Sequence, residues 1–269
     1  MKNYKWITAS LVAFMLASPI SGTATAAQAT ITASVKTSLD KIAKSDHAQA
    51  DQVRTRYNEL LALQSEEKDW DAKIKSLHAE NQKTLTEVNK QIKQIDSDKI
   101  APLEEVLAQA KERYKPLIAH YTSLNKQISE AGKLKNKELS SMLRLQANTL
   151  KIPVQFARLD VQIKESTLRE AKDAAANKMK DIRGTLTGID SANAQIKTSK
   201  NTIKNAESEA AQALNALKQA LKNGDVSRVS DTLASLVSLS RQIVKEKQTV
   251  FNLESKISNI VSAAKAQLP

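Results

Sequence analysis

The chain has no cysteine, and only five glycines and five prolines in 269 residues. Without cysteine there is no disulfide framework, no thiolate zinc site and no cysteine nucleophile. Glycine and proline usually supply ~12% of a chain. Their scarcity leaves little room for the many turns that an all-β fold or a strand–helix alternation needs. Aromatic residues are 3% of the sequence, too few for a thick globular core.

What the chain does have is charge and helical periodicity. Charged residues make up 26%, and 41 basic against 29 acidic side chains give +12. Only nine of the basic residues are arginine. Lysine is a hydrated point charge, whereas arginine is the fork that reads phosphates and bases in a bidentate way. A lysine-dominated surface suits solubility and diffuse attraction to polyanions over specific readout.

The first 26 residues have the pattern of an export signal. Lys2 and Lys5 form a positive start, and residues 6–17 (WITASLVAFMLA) form an apolar run that Ser18 and Pro19 break. Ala24 and Ala26 are the small residues a signal peptidase reads, so cleavage is expected near Ala26. The run is shorter than the ~18–20 residues that span a bilayer. No cysteine follows it for lipid attachment. The mature chain is expected to be secreted or envelope-associated, extracellular or periplasmic, with no transmembrane segment. Without Lys2 and Lys5 it keeps a net charge of +10.

After the signal, alternating three- and four-residue steps select apolar positions along most of the chain. From Leu39 they pick out Ile42, Val53, Leu60, Leu63, Trp70, Ile74, Leu77, Val88 and Ile95, with Asp46, Gln49, Glu67 and Asn81 as polar interruptions. Such breaks weaken a coiled coil but fix its register. No glycine or proline occurs in residues 33–100, so one very long helix is expected there. From Leu103 the steps reach Leu107, Ala110, Tyr114, Leu117, Tyr121, Leu124, Ile128 and Ala131, all apolar. The register continues through Pro116, which predicts a kink and not a stop. A hairpin turn is expected near 96–102, where Asp96, Ser97 and Asp98 precede Pro102.

Further boundaries are expected at 132–136, at 151–153 with Pro153, at 184–188, and at 223–225. Gly224 suits the left-handed residue that closes a helix, and Asp225 the N-cap that opens the next. Residues 189–222 and 225–267 are therefore expected to form an antiparallel hairpin. Its second arm runs Val226, Val229, Leu233, Leu236, Ser240, Ile243, Lys247, Val250, Glu254, Ile257, Val261. The fold expected is all-α: an elongated antiparallel bundle or coiled coil of long helices, spectrin-like. Residues 27–150 would hold long coiled-coil helices and 151–269 a helical bundle.

Sites for chemistry are scarce. His47, His78 and His120 have no histidine or carboxylate set at helical spacing, and no HExxH occurs. Asp96-Ser97-Asp98 opens like a calcium loop, but Ala101 stands where glycine is needed and Leu107 where a bidentate glutamate is needed. Residues 184–188 (GTLTG) are followed by Ile189 and Asp190, not by the Lys and Ser/Thr of a phosphate loop. No catalytic, metal or cofactor site is expected, and the chain is read as non-enzymatic. The acidic stretch from Glu66 to Asp71 reads as a solvated face, or as a docking patch for a basic segment. Its opposite lies from Lys133 onward, where Lys133, Lys135, Lys137, Arg144, Lys151 and Arg158 face a single acid, Glu138. The first five are the candidate polyanion contact. Tyr114 and Tyr121 lie on the seam, so stacking platforms for nucleic acid are lacking.

These features suit a structural, scaffolding or adhesive component of the bacterial cell envelope or extracellular space. Its expected partners are an anionic envelope polymer, lipid headgroups, or another protein or copy met through the seams. The alternatives are a secreted membrane-active, toxin-like protein and an exported holdase chaperone. The toxin families carry a hydrophobic hairpin, whereas the longest uncharged mature run here is residues 116–125 (PLIAHYTSLN).

Overall fold

The computed structural model describes residues 33–44 and 49–269. Residues 1–26, expected to be an export signal, the expected cleavage point, Asp46 and His47 lie outside these. Six α-helices hold 94% of the described residues, and no strand occurs among them. They are α1 (Ala33–Ala43), α2 (Ala50–Ile92), α3 (Ser97–Lys133), α4 (Lys137–Leu186), α5 (Gly188–Asn223) and α6 (Val226–Ala266). The all-α bundle expected from the heptads is what forms. The chain divides into two compact units, one holding α1, α2 to Val88, α5 and nearly all of α6, the other residues Asn89–Thr185 with Ala266–Pro269.

In the first unit α5 and α6 form the expected hairpin. Gly224 has φ 70°, and the amides of Gly224 and Asp225 donate back to the carbonyls of Leu221 and Ala220 at 3.3 and 3.1 Å. These two bonds satisfy carbonyls that the helix end would leave unpaired. The Asp225 carboxylate then accepts from the Arg228 amide at 3.0 Å and caps α6. α2 lies parallel to α6, since Arg56 bonds Ser230, Asp71 bonds Lys247, and His78 bonds Glu254 in rising order along both. The seams meet at one end in a core of Leu39, Val53, Leu60, Leu217, Leu233 and Leu236, which α1 joins through Val35 and Leu39. Each fully buried aliphatic chain there contributes roughly 1.5–3 kcal/mol.

The second unit is built on an antiparallel pair, α3 against α4. Asp96 bonds Lys178, Glu104 pairs with Lys172, and Lys111 with Glu165, so partners on α4 descend as those on α3 ascend. Near the turn, Leu124, Ala131, Leu143 and Ala147 are buried together, with Tyr121, Ile128 and Leu150 half-covered. Two helices cover each other less than three do, which is why this core is thinner.

Several boundaries differ from the expected ones. In place of one helix over 33–100, α1 ends at Ala43 and α2 runs from Ala50 to Ile92. The turn near 96–102 lies at residues 93–96, and Pro102 is the sixth residue of α3. Asp96 stands at the N-cap position with φ 54°, yet makes no side-chain cap. Its carboxylate instead accepts from Lys178 and Lys99, each at 2.9 Å. Those bonds hold its carboxyl below the usual carboxylate range.

The break expected at 151–153 is absent. α4 continues through Pro153, as α3 does through Pro116, so the division between 150 and 151 falls inside a helix. A proline costs a helix interior about 3 kcal/mol. Burial of Leu143 and Ala147 before it, and of Val154 and Ala157 after it, offsets that cost. At 184–188 the joint is one residue, Thr187, with helical angles φ −61° and ψ −23°. A Cβ at Gly188 would come within 3.1 Å of the Ile260 side chain, so glycine permits that approach.

Candidate binding surface on the α3–α4 hairpin

Two polar clusters lie inside the first unit, where enzymes keep their chemistry. Lys247 is buried, donates to Asp71 at 2.8 Å and lies 4.0 Å from buried Glu67. Burial raises the Glu207 carboxyl; the Asp71 and Glu67 charges add to this and Lys247 opposes it. Further along, buried Glu254 accepts from the Asn81 amide at 2.9 Å and shares a 2.7 Å bond with His78 Nδ1. Asn81 also donates to the Glu254 carbonyl at 2.8 Å.

Each cluster borders a crevice of about 10–20 Å³, room for roughly one water. No nucleophile sits beside the His78–Glu254 pair, and no group of metal-binding side chains occurs among the described residues. The clusters satisfy their own members and set register. The polar residues that interrupt the α2 seam, Glu67 and Asn81, meet those that interrupt the α6 seam, Lys247 and Glu254. In the acidic stretch from Glu66 to Asp71, Asp69 is exposed, but the other three acids have partners. Glu66 accepts from Trp70 and Gln248, while Glu67 and Asp71 face Lys247, all within the first unit. His120 is exposed on α3.

The basic segment is different. Lys133 ends α3, Lys135 sits in the three-residue turn, and Lys137 begins α4, with Arg144 and Lys151 on the same helix. The hairpin thus brings the five candidate contacts to its turn end. Lys137, Arg144, Lys151 and Arg158 recur every seven residues, which places them in one line ~32 Å long on α4. All six cations are exposed. None is in an ion pair among the described residues, as is also true of the exposed Lys83, Lys126 and Lys256; the seven-residue line, with one acid in it, sets this segment apart.

The turn itself is tightly specified. The amides of Lys135 and Asn136 donate to Gly132 and Ala131 at 3.1 Å, and Asn136 Oδ1 accepts from the Leu139 amide at 3.1 Å. Lys135 takes φ 54°, where glycine is the usual residue. A lysine is thereby held at the tip in a conformation costing roughly 1–2 kcal/mol.

One feature of the same helix escaped the sequence reading. Met142, Leu145, Ile152, Phe156, Leu159 and Ile163 are all exposed, by 54% to 76%. They interleave with Leu143, Ala147, Val154 and Ala157, which are buried. Two apolar series on one helix blur the period that either alone would show, and the break expected at Pro153 split the outer one. Extending the three–four stepping through Pro153 from Met142 would have found it.

No family model, no curated protein and no solved structure matches this chain.

Proposed function

We propose that this chain is an exported, non-enzymatic coiled-coil protein of the bacterial cell envelope or extracellular space. It acts as a structural, scaffolding or adhesive component that holds an anionic envelope polymer or lipid headgroup surface with the turn end of its α3–α4 hairpin. The observation that carries this reading is the row of exposed, unpaired cations there. A repeat of one charge per ~10.5 Å of helix presents a linear field and no shaped pocket. Such a field attracts a polyanion without selecting a particular small molecule. Export is supported by the charged start, the apolar run and the Ala24–Ala26 site. A membrane-spanning pore has no comparable support, since no described helix is long and apolar enough to cross a membrane.

Co-sedimentation with purified envelope tests this. Exposed charges are screened over ~8 Å at physiological salt, so binding is expected to fall steeply as salt rises. Changing Lys133, Lys135, Lys137, Arg144 and Lys151 to Gln is expected to weaken it more than five Lys→Gln changes elsewhere. Salt-insensitive binding, or equal loss from both variants, rejects the proposal.

A further inference from the structure

The outer face of α4 has the pattern of a helix-packing seam, and none of the described helices covers it. Met142, Leu145, Thr149, Ile152, Phe156, Leu159 and Ile163 follow steps of three and four without a slip, and all are exposed. The six large residues are 54–76% exposed in one continuous stripe, and contiguous apolar patches larger than a few hundred Å² are rare on a monomer. We propose that this seam is a self-association surface, on which two copies of the chain pair through antiparallel α4 helices.

Three observations favour a second copy over a lipid surface. The period is 3.5 residues, so on a straight helix the stripe drifts by ~20° per heptad. A partner helix winds with that drift, and a flat bilayer does not. The seam is also narrow, and the residues beside it are Ser141, Gln146, Asn148, Gln155 and Gln162, with Asp160 the one charge. Interfacial helices instead carry Lys, Arg, Trp or Tyr at such edges. The basic line of Lys137, Arg144, Lys151 and Arg158 lies about a third of a turn further round.

Finally, the seam complements itself when reversed. Leu145 then meets Ile163 of the other copy, Thr149 meets Leu159, and Ile152 meets Phe156. The two-fold axis repeats each contact, as an isologous dimer requires. Asp160 falls opposite Gln146, and no like charges oppose across the seam. The inference does not depend on polyanion binding, because the five Gln changes above leave the seam untouched.

Sedimentation equilibrium of the purified protein gives the first test. A reversible dimer is expected, and the double variant Ile152→Lys, Phe156→Glu should weaken it at least ~100-fold. Both side chains are exposed, so circular dichroism should be unchanged. The absence of native cysteine makes single-cysteine crosslinking clean. Gln155→Cys should be joined by a short bismaleimide, because the two positions face across the axis. Ser141→Cys should not, being ~40 Å from its copy in an antiparallel pair. Crosslinking at both positions would indicate parallel chains and overturn the geometry. A dimer insensitive to the double variant would overturn the seam. A monomer at all concentrations overturns the proposal, and flotation of that monomer on anionic vesicles through the same residues would assign the face to lipid.

Discussion

Lys135 and Gly224 occupy equivalent places in two helix-closing turns, and they differ in whether the residue suits its backbone. At φ 70° Gly224 has no Cβ to clash, whereas Lys135 at φ 54° does. Gly224→Val should lower stability by about 1–2 kcal/mol. Lys135→Gly should raise it by about 1 kcal/mol, and denaturant midpoints measure both. Opposite signs are the expected result, because the same conformation is strained in one and relaxed in the other. A second residue-scale expectation concerns Glu207. Its carboxyl is raised by burial, so its charged form is disfavoured by folding. The associated stability is present below the ordinary carboxylate range and is lost as pH rises through the folded value. Glu207→Gln should therefore raise the melting temperature at pH 7, and the gain should vanish below about pH 4. A gain of the same size at both pH values would show that charge is not the cause.

Among the elements, α4 shows most clearly what periodicity reveals and conceals. The α5–α6 hairpin was legible in detail, from its seam to Gly224 and Asp225, because one apolar face and a strong turn signal coincide there. The α3 seam was legible too, since Leu107, Ala110, Leu124 and Ala131 are its buried residues. α4 was not, because its inner and outer series interleave and Pro153 imitates a boundary. Helix breaking by proline is a local preference of ~3 kcal/mol, and contacts on both sides of it outweigh that preference here. Pro153→Ala should restore the backbone bond to Thr149 and stabilise the protein by about 1–3 kcal/mol, read as a higher denaturant midpoint. An unchanged midpoint would mean that the hairpin already accommodates the proline at no cost. The polar seam positions were legible only as interruptions. That Glu67 faces Lys247 and Asn81 faces Glu254 depends on α2 and α6 being parallel and in register, which no single-helix pattern contains.

For the molecule as a whole, the helical composition follows from what the chain lacks, and the charge distribution decides where a partner binds. Glu66, Glu67 and Asp71 of the acidic stretch have partners within the first unit, while the cations at the hairpin turn are in no ion pair. Net charge alone could not make this distinction, since +12 is a property of the whole chain. Lysines spread over both units allow the central claim to be read directly by amine-reactive footprinting and mass spectrometry, with and without purified envelope. Lys133, Lys135, Lys137 and Lys151 are predicted to lose reactivity on binding, while the exposed Lys73, Lys83 and Lys256 keep theirs. Protection centred on Lys73, Lys83 or Lys256, with the hairpin lysines unchanged, would contradict the account.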